Sequence, residues 1–238
     1  MAAAQARWET RVRACVAWLE RRSRQLKNLM FSLVPVFLRL VDSLALASLL
    51  LLVWIPFFWS LFHPGIHYWR RMGNRALWVA LPVWLGFAAG LLLARHWLFA
   101  RRLERDALTW MVGGVLFFLA AWLEVETRRT FGCRRLAGLP EIHPEHRLRG
   151  VVSTGIYGRL RHPRYLLCMF MLLSTAFLTG ALAIFLLAIL NVLLYQILAR
   201  LEERALLDQY GPQYEAYRRF VPRFVPRLGR RPEAQISS

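Results

Sequence analysis

The chain has 238 residues, of which 57% are hydrophobic and 10 are tryptophan, and its mean hydropathy is +0.36. A water-soluble domain of this length does not carry so large an apolar share, so these values exclude an ordinary soluble fold. The formal net charge of +18 comes almost wholly from arginine, because Lys27 is the single lysine. The composition therefore indicates an integral membrane protein with basic connections.

The first part of the chain is basic throughout. Residues 1–27 interrupt their apolar positions with arginine, unlike the continuous apolar core of a signal peptide. We interpret this segment as a retained amphipathic helix at the membrane surface. Stretches without Asp, Glu, Lys or Arg follow at residues 43–62, 76–94, 107–123 and 165–199. The first three have roughly the 17–25 residues that cross a bilayer once.

The fourth apolar stretch, residues 165–199, is too long for a single span. As one helix it would extend roughly 50 Å, whereas the hydrocarbon core is ~30 Å thick. Gly180 lies near its middle and permits a tight reversal, so we predict a helical hairpin with both ends on one side. The predicted fold is an all-α polytopic membrane helix bundle of about five spans, with a C-terminal helical hairpin and a cytosolic interfacial helix.

The arginines cluster at the ends of the predicted spans, where they meet anionic headgroups on the cytoplasmic face. This arrangement argues against nucleic-acid binding and predicts that residues 124–164 and 200–238 are cytoplasmic. Counting single spans backwards then puts the basic N-terminus outside, against the positive-inside rule. The conflict is removed if residues 28–62 form a re-entrant hairpin that is broken near Pro35 and the pair Arg39 and Asp42.

A polar motif, residues 154–165, leads directly into the hairpin and reads Thr-Gly-Ile-Tyr-Gly-Arg-Leu-Arg-His-Pro-Arg-Tyr. Proline disfavours a helical conformation at His162 and suits the first turn of a helix, so the helix should begin at Pro163. Its unpaired N–H groups, together with Arg161 and His162, predict a site for a carboxylate or phosphate.

Two further motifs follow the hairpin. Arg200-Leu201-Glu202-Glu203-Arg204 returns to the starting side, so its carboxylates should lie near His162 and Tyr165. A site with an anion-binding and a cation-binding half suits a cofactor that bears an amino acid. Residues 211–222, with Tyr214 and Tyr217, predict an interfacial helix that ends at proline. Each motif also has a plain structural explanation, as a helix start, solvated glutamates or interfacial tyrosines.

Taken together, the three motifs resemble isoprenylcysteine carboxyl methyltransferases and their phospholipid methyltransferase relatives, over about residues 146–226. The resemblance implies S-adenosylmethionine as cofactor and a lipid-like or small hydrophobic methyl acceptor at the cytosolic interface. Together with the charge and hydropathy pattern, it divides the chain into the segment 1–27, membrane spans in 28–126, a cofactor-binding core at 127–226 and a disordered tail at 227–238. The implied cofactor-binding residues are Val151, Val152, Tyr157, His162, Pro163, Arg164, Tyr165, Glu202 and Glu203.

The candidate catalytic residues are His162, Arg200 and Glu203. A carboxylate acceptor needs only a cation to position it, whereas an amine or thiol must also lose a proton, for which His162 or a glutamate is suited. Leu198 stands near the family's substrate-contacting arginine, and Arg200 is the closest arginine, so a prenylcysteine substrate is in doubt. The spacing between His146 and Ser153 is also longer than in many relatives.

Two other functions remain open at the level of sequence. One is a reductase of the sterol reductase type with NADPH as cofactor, and the other is a non-catalytic membrane adaptor. No metal is expected, because Cys15, Cys133 and Cys168 are widely separated and lack zinc-site spacing. The expected partners are membrane lipids and a hydrophobic substrate.

Overall fold

The computed structural model describes residues 2–53, 56, 75–131 and 150–226. The chain divides into two compact units, Met1–Leu44 and Ala45–Ser238. Within the described ranges the secondary structure is helical, with one isolated β-bridge, and this confirms the predicted all-α class. The helices are α1 (Ala2–Leu52), α2 (Ala76–Leu93), α3 (Arg95–Leu98), α4 (Ala107–Phe131), α5 (Pro163–Thr179), α6 (Leu182–Tyr210) and α7 (Pro212–Phe220). A 3-10 turn, Gly155–Gly158, precedes α5.

Three of the described helices contain segments that are long and apolar enough to cross a membrane: Val16–Leu52, Ala107–Thr130 and Leu182–Tyr210. Two shorter apolar helices, Leu81–Leu93 and Pro163–Thr179, accompany them. Large apolar side chains on these helices are exposed, for example Phe118 at 71%. Exposed apolar surfaces on helices of this length are typical of a membrane protein, and the five apolar helices among the described residues agree roughly with the predicted number of spans.

The N-terminal helix differs from its prediction. α1 runs without a break from Ala2 to Leu52, and both Pro35 and Arg39 lie inside it. The predicted re-entrant hairpin at 28–62 is therefore wrong. A proline costs a helix roughly 3 kcal/mol, but a reversal at membrane depth would leave several backbone groups without partners in lipid. The rest of the predicted first span beyond residue 53, apart from Pro56, lies outside the described residues, as do the predicted tail and Cys133.

The predicted C-terminal hairpin is confirmed. α5 ends at Thr179, the following Gly180 adopts the left-handed conformation with φ +65°, and α6 begins at Leu182. A Cβ atom at Gly180 would lie 2.9 Å from the carbonyl oxygen of Leu103, so the turn requires glycine both for its conformation and for space. The backbone of the α3–α4 connection pairs with the turn through Leu103 N–H to Gly180 O (2.8 Å) and Leu182 N–H to Arg101 O (3.0 Å).

Side chains from the same connection complete the end of α5. The guanidinium groups of Arg102 and Arg105 donate to the carbonyls of Thr179 and Leu178, each at 3.3 Å. The last carbonyls of a helix have no partner within the helix and carry its partial negative charge, so two cations stabilise this end.

α4 packs closely along α5. The Ser174 hydroxyl donates to the Gly113 carbonyl at 2.7 Å, and a Cβ atom at Gly113 would lie 2.8 Å from the Leu178 side chain. Small residues at such a crossing let two membrane helices approach, and the hydroxyl bond adds to the packing. α6, with 29 residues, is longer than α5, with 17, so its last turns extend past the start of α5.

Candidate functional site

The 3-10 turn before α5 rests on the end of α4. Gly155 has φ +58°, and a Cβ atom there would lie 2.5 Å from Thr130 Oγ1, so only glycine fits this position without displacement. The Tyr217 hydroxyl on α7 donates to the Tyr157 carbonyl at 2.7 Å. Burial raises the pKa of the Tyr157 phenol, which therefore stays neutral. These contacts hold the turn between α4 and α7.

His162 is the residue immediately before α5. Its ring is buried, with Nε2 3.1 Å from Glu203 Oε1 and Nδ1 3.4 Å from Glu202 Oε2. A neutral imidazole has one N–H, so two carboxylate partners favour the doubly protonated ring. Burial by itself lowers the pKa of His162, but the hydrogen bonds to Glu202 and Glu203 outweigh it and raise the pKa above its ordinary value.

The Glu203 carboxylate is surrounded by cations. Arg223 binds both of its oxygens, through Nε at 2.8 Å and Nη2 at 2.5 Å, and Arg161 Nη1 lies 3.1 Å from Oε1. His162 is the third partner, and the Glu203 side chain is 7% exposed. The negative charge of Glu203 is therefore compensated within the protein.

Glu202 has a different environment although it is adjacent in sequence. Its side chain is 43% exposed, whereas that of Glu203 is 7% exposed, and it contacts the edge of the His162 ring. The Tyr165 hydroxyl interacts with the same carboxylate. Glu202 is thus in contact with His162 and Tyr165 and at the same time partly accessible to solvent.

Aromatic rings complete the surroundings of His162. The Tyr165 ring stacks on the imidazole, with centroids 5.3 Å apart and planes within 8° of parallel. The Phe224 ring lies 5.9 Å from the imidazole, and Tyr195 lies 5.2 Å from Tyr165. The orientation of His162 is therefore fixed by two carboxylates and two rings.

The structure thus brings together His162, Tyr165, Glu202 and Glu203, as the hairpin prediction required. Arg200 is exposed on α6 and lies outside this cluster. Of the other predicted cofactor residues, Pro163 is buried, and Val151, Val152, Tyr157 and Arg164 are half-buried. Val151 packs with Tyr214 and Tyr217 of α7. His146 and the adjoining loop lie outside the described residues.

Three of the contacts around Glu203 and His162 were not predicted. Arg161 was expected to bind an external anion, but its guanidinium group faces Glu203. Arg223 and Phe224 were assigned no role, although they lie between two prolines in Val221-Pro222-Arg223-Phe224-Val225-Pro226. This spacing could have indicated a role for Arg223 and Phe224, because proline on both sides favours an extended segment with its side chains held in defined directions.

The fold and site define a helical membrane protein with a charged, aromatic site where the two ends of the α5–α6 hairpin meet. Residues 108–213 match the family model of the phospholipid methyltransferases, from α4 to the first turn of α7. The match covers just under half of the chain and confirms the resemblance inferred from the motifs. This region is therefore similar to the phospholipid methyltransferases. No curated protein and no solved structure shows a significant match to the chain.

Proposed function

We propose that this protein is an integral membrane methyltransferase that transfers a methyl group from S-adenosylmethionine to a lipid-like or small hydrophobic acceptor at the cytosolic interface. One observation carries the proposal. Within the family match, the α5–α6 hairpin joins His162 to Glu202 at 3.4 Å although they are 40 positions apart in sequence.

The residues present fit the chemical groups of this cofactor. Glu202, 43% exposed, is suited to accept hydrogen bonds from an ammonium group or from ribose hydroxyls. The first N–H groups of α5 have no partner within the helix and favour a carboxylate. Arg161 Nε is buried without a hydrogen-bond acceptor among the described residues, so a further donor is present at the same place.

When bound, the cofactor supplies an electrophilic methyl group on a sulfonium, which an acceptor takes by direct displacement without a covalent enzyme intermediate. The protein contributes alignment and the exclusion of water, and both can supply a large part of the rate. The stacked His162 and Tyr165 rings give the site a rigid wall. Its position at the end of a membrane hairpin admits an acceptor from the bilayer.

The charges divide the roles of the polar residues. His162 is an imidazolium that positions Glu202, and the Glu203 carboxylate is bound by Arg161 and Arg223. His162 and Glu203 are therefore not suited to remove a proton from the acceptor. Glu202 is the group best placed to accept a proton from an amine or thiol. Arg200 serves a carboxylate acceptor instead, from its exposed position on α6. An essential Glu202 would therefore indicate an amine or thiol acceptor, and an essential Arg200 would indicate a carboxylate acceptor.

The proposal is tested by product analysis. The purified protein, reconstituted with a membrane lipid extract, is incubated with methyl-labelled S-adenosylmethionine and the products are partitioned into organic solvent. We expect label in an organic-soluble product, and much less with Glu202→Gln or His162→Gln. Methylated product confined to the aqueous phase would show that a lipid acceptor is wrong. Binding of NADPH in place of S-adenosylhomocysteine would favour a reductase, and binding of neither would favour an adaptor.

A further inference from the structure

We propose that Arg223 is a positioning residue of the methyl-transfer site, which holds Glu203 so that His162 can orient Glu202 toward the cofactor. This inference rests on the proposed function, because it assigns a role to a residue behind the same site. Arg223 lies beyond residue 213, where the family match ends.

The first step is the backbone around Arg223, which we call the C-terminal strap (residues 222–224). The N–H of Arg161 donates to the Pro222 carbonyl at 2.9 Å, and the N–H of His162 donates to the Arg223 carbonyl at 3.2 Å. The strap therefore pairs with the two residues that begin the site. Phe224 adds a ring contact to the His162 imidazole at 5.9 Å.

The second step is the side chain of Arg223. Its planar guanidinium binds both oxygens of Glu203, a geometry that a lysine cannot reproduce. Two cations and one imidazole ring thus share the buried Glu203 carboxylate. The Glu203 carboxylate can bind all of these partners in one orientation. Arg223 therefore fixes the position of the Glu203 oxygen that contacts His162 Nε2.

The third step leads from Glu203 to Glu202. His162 Nε2 is bound to the fixed Glu203, so the opposite ring nitrogen, Nδ1, points in a defined direction, and there it meets Glu202. Removing Arg223 would leave Glu203 with excess negative charge. The imidazolium would then be held more strongly by Glu203 and would orient Glu202 less well.

This arrangement predicts that the pH at which His162 loses its proton depends on Arg223. Several charged and titratable groups face His162 and influence that pH. They are Glu202 and Glu203 on α6, Tyr165 on α5, Arg161 beside it, and Arg223 on the strap. Loss of the Arg223 cation makes the imidazolium more favourable, so deprotonation of His162 should move to higher pH. A purely structural role for Arg223 would reduce stability without moving this midpoint.

The experiment is calorimetry of the full-length protein with S-adenosylhomocysteine across a pH series. Arg223→Gln and Arg223→Lys are compared with Arg219→Gln, because Arg219 is an exposed neighbour that interacts with Glu215 instead. We expect Arg223→Gln to weaken the binding of S-adenosylhomocysteine about tenfold. Affinity should fall as His162 loses its proton, and we expect this fall to occur at a higher pH in Arg223→Gln. Arg223→Lys should restore part of the affinity, and Arg219→Gln should behave as wild type.

Equal affinity and an unchanged pH midpoint in folded Arg223→Gln would overturn the proposal. If that variant does not fold, the affinity of Arg223→Lys decides, because binding equal to that of wild type would show that the two-oxygen contact with Glu203 is not needed. If wild type fails to bind S-adenosylhomocysteine, the proposed function is wrong, but the positioning role is still measured by NMR titration of His162. The signal is identified among the six histidines with His162→Gln. A His162 midpoint that is unchanged in Arg223→Gln would then contradict the role of Arg223.

Discussion

Glu202 and Glu203 are consecutive residues whose environments give them different roles. Glu203 is buried among Arg161, Arg223 and His162, whereas Glu202 is 43% exposed. Removing one partner of a buried ion pair is strongly destabilising, whereas a partly exposed carboxylate is accessible to a ligand. At the scale of single residues, the site therefore separates a structural glutamate from a ligand-binding one.

Substitution of the two glutamates should separate these roles. Glu203→Gln leaves buried positive charge uncompensated, so we expect a loss of about 3 kcal/mol in the free energy of unfolding. Glu202→Gln should change stability by less than about 1 kcal/mol, because its side chain is half exposed. Denaturant unfolding in a mild detergent measures both values. Equal destabilisation by the two variants would contradict the separation.

The protonation state of His162 should make the stability of the folded protein depend on pH. Its pKa in the folded protein is raised above the ordinary value of 6.5, because the carboxylates of Glu202 and Glu203 outweigh the effect of burial. Protonated His162 therefore stabilises the fold fully below about pH 6.5, and this contribution is lost as the pH rises through the raised pKa.

The pH effect is measured as the unfolding temperature of wild type and His162→Gln across a pH series. We expect the difference between them to be largest at acidic to neutral pH and to shrink toward alkaline pH. A difference that grows as the pH rises would show that the neutral ring is the stabilised form.

At the scale of elements, the α5–α6 hairpin depends on the turn at Gly180. Its φ of +65° and the nearby Leu103 carbonyl both disfavour a side chain, so we expect Gly180→Ala to destabilise the protein by about 2 kcal/mol. Gly90→Ala is the matched control, because Gly90 lies in α2 with open space around its Cα. Thermal unfolding compares the two variants, and an equal effect of both would show that the turn tolerates a side chain.

The sequence predicted this hairpin because its cause is local. A charge-free run too long for one span, with a glycine near its middle, has few other solutions in a bilayer. The break near Pro35 was wrong because proline is a local signal of a helix end, whereas the continuity of α1 depends on backbone bonding along its whole length. Contacts of Arg223 could not be predicted, since they depend on how α6, α7 and the strap pack together.

At the scale of the whole molecule, the hairpin requires both of its polar ends to lie on one side of the membrane and its turn on the other. Single cysteines at Arg159, Arg204 and Leu103, all exposed positions, test this arrangement in a cysteine-free background. In sealed, oriented vesicles, an impermeant maleimide should label Arg159→Cys and Arg204→Cys from the same side. Labelling of Leu103→Cys from that side as well would contradict the spanning hairpin.

The central claim is that the returning hairpin builds a cofactor site from His162 and Glu202. The most direct measurement is the affinity of the purified protein for S-adenosylhomocysteine, compared with Glu202→Gln. Glu215→Gln is the control, because Glu215 lies on α7 and pairs with Arg218 and Arg219. The account predicts binding by wild type and Glu215→Gln and about tenfold weaker binding by Glu202→Gln. Correctly folded wild type that does not bind, or Glu202→Gln that binds equally well, would contradict it.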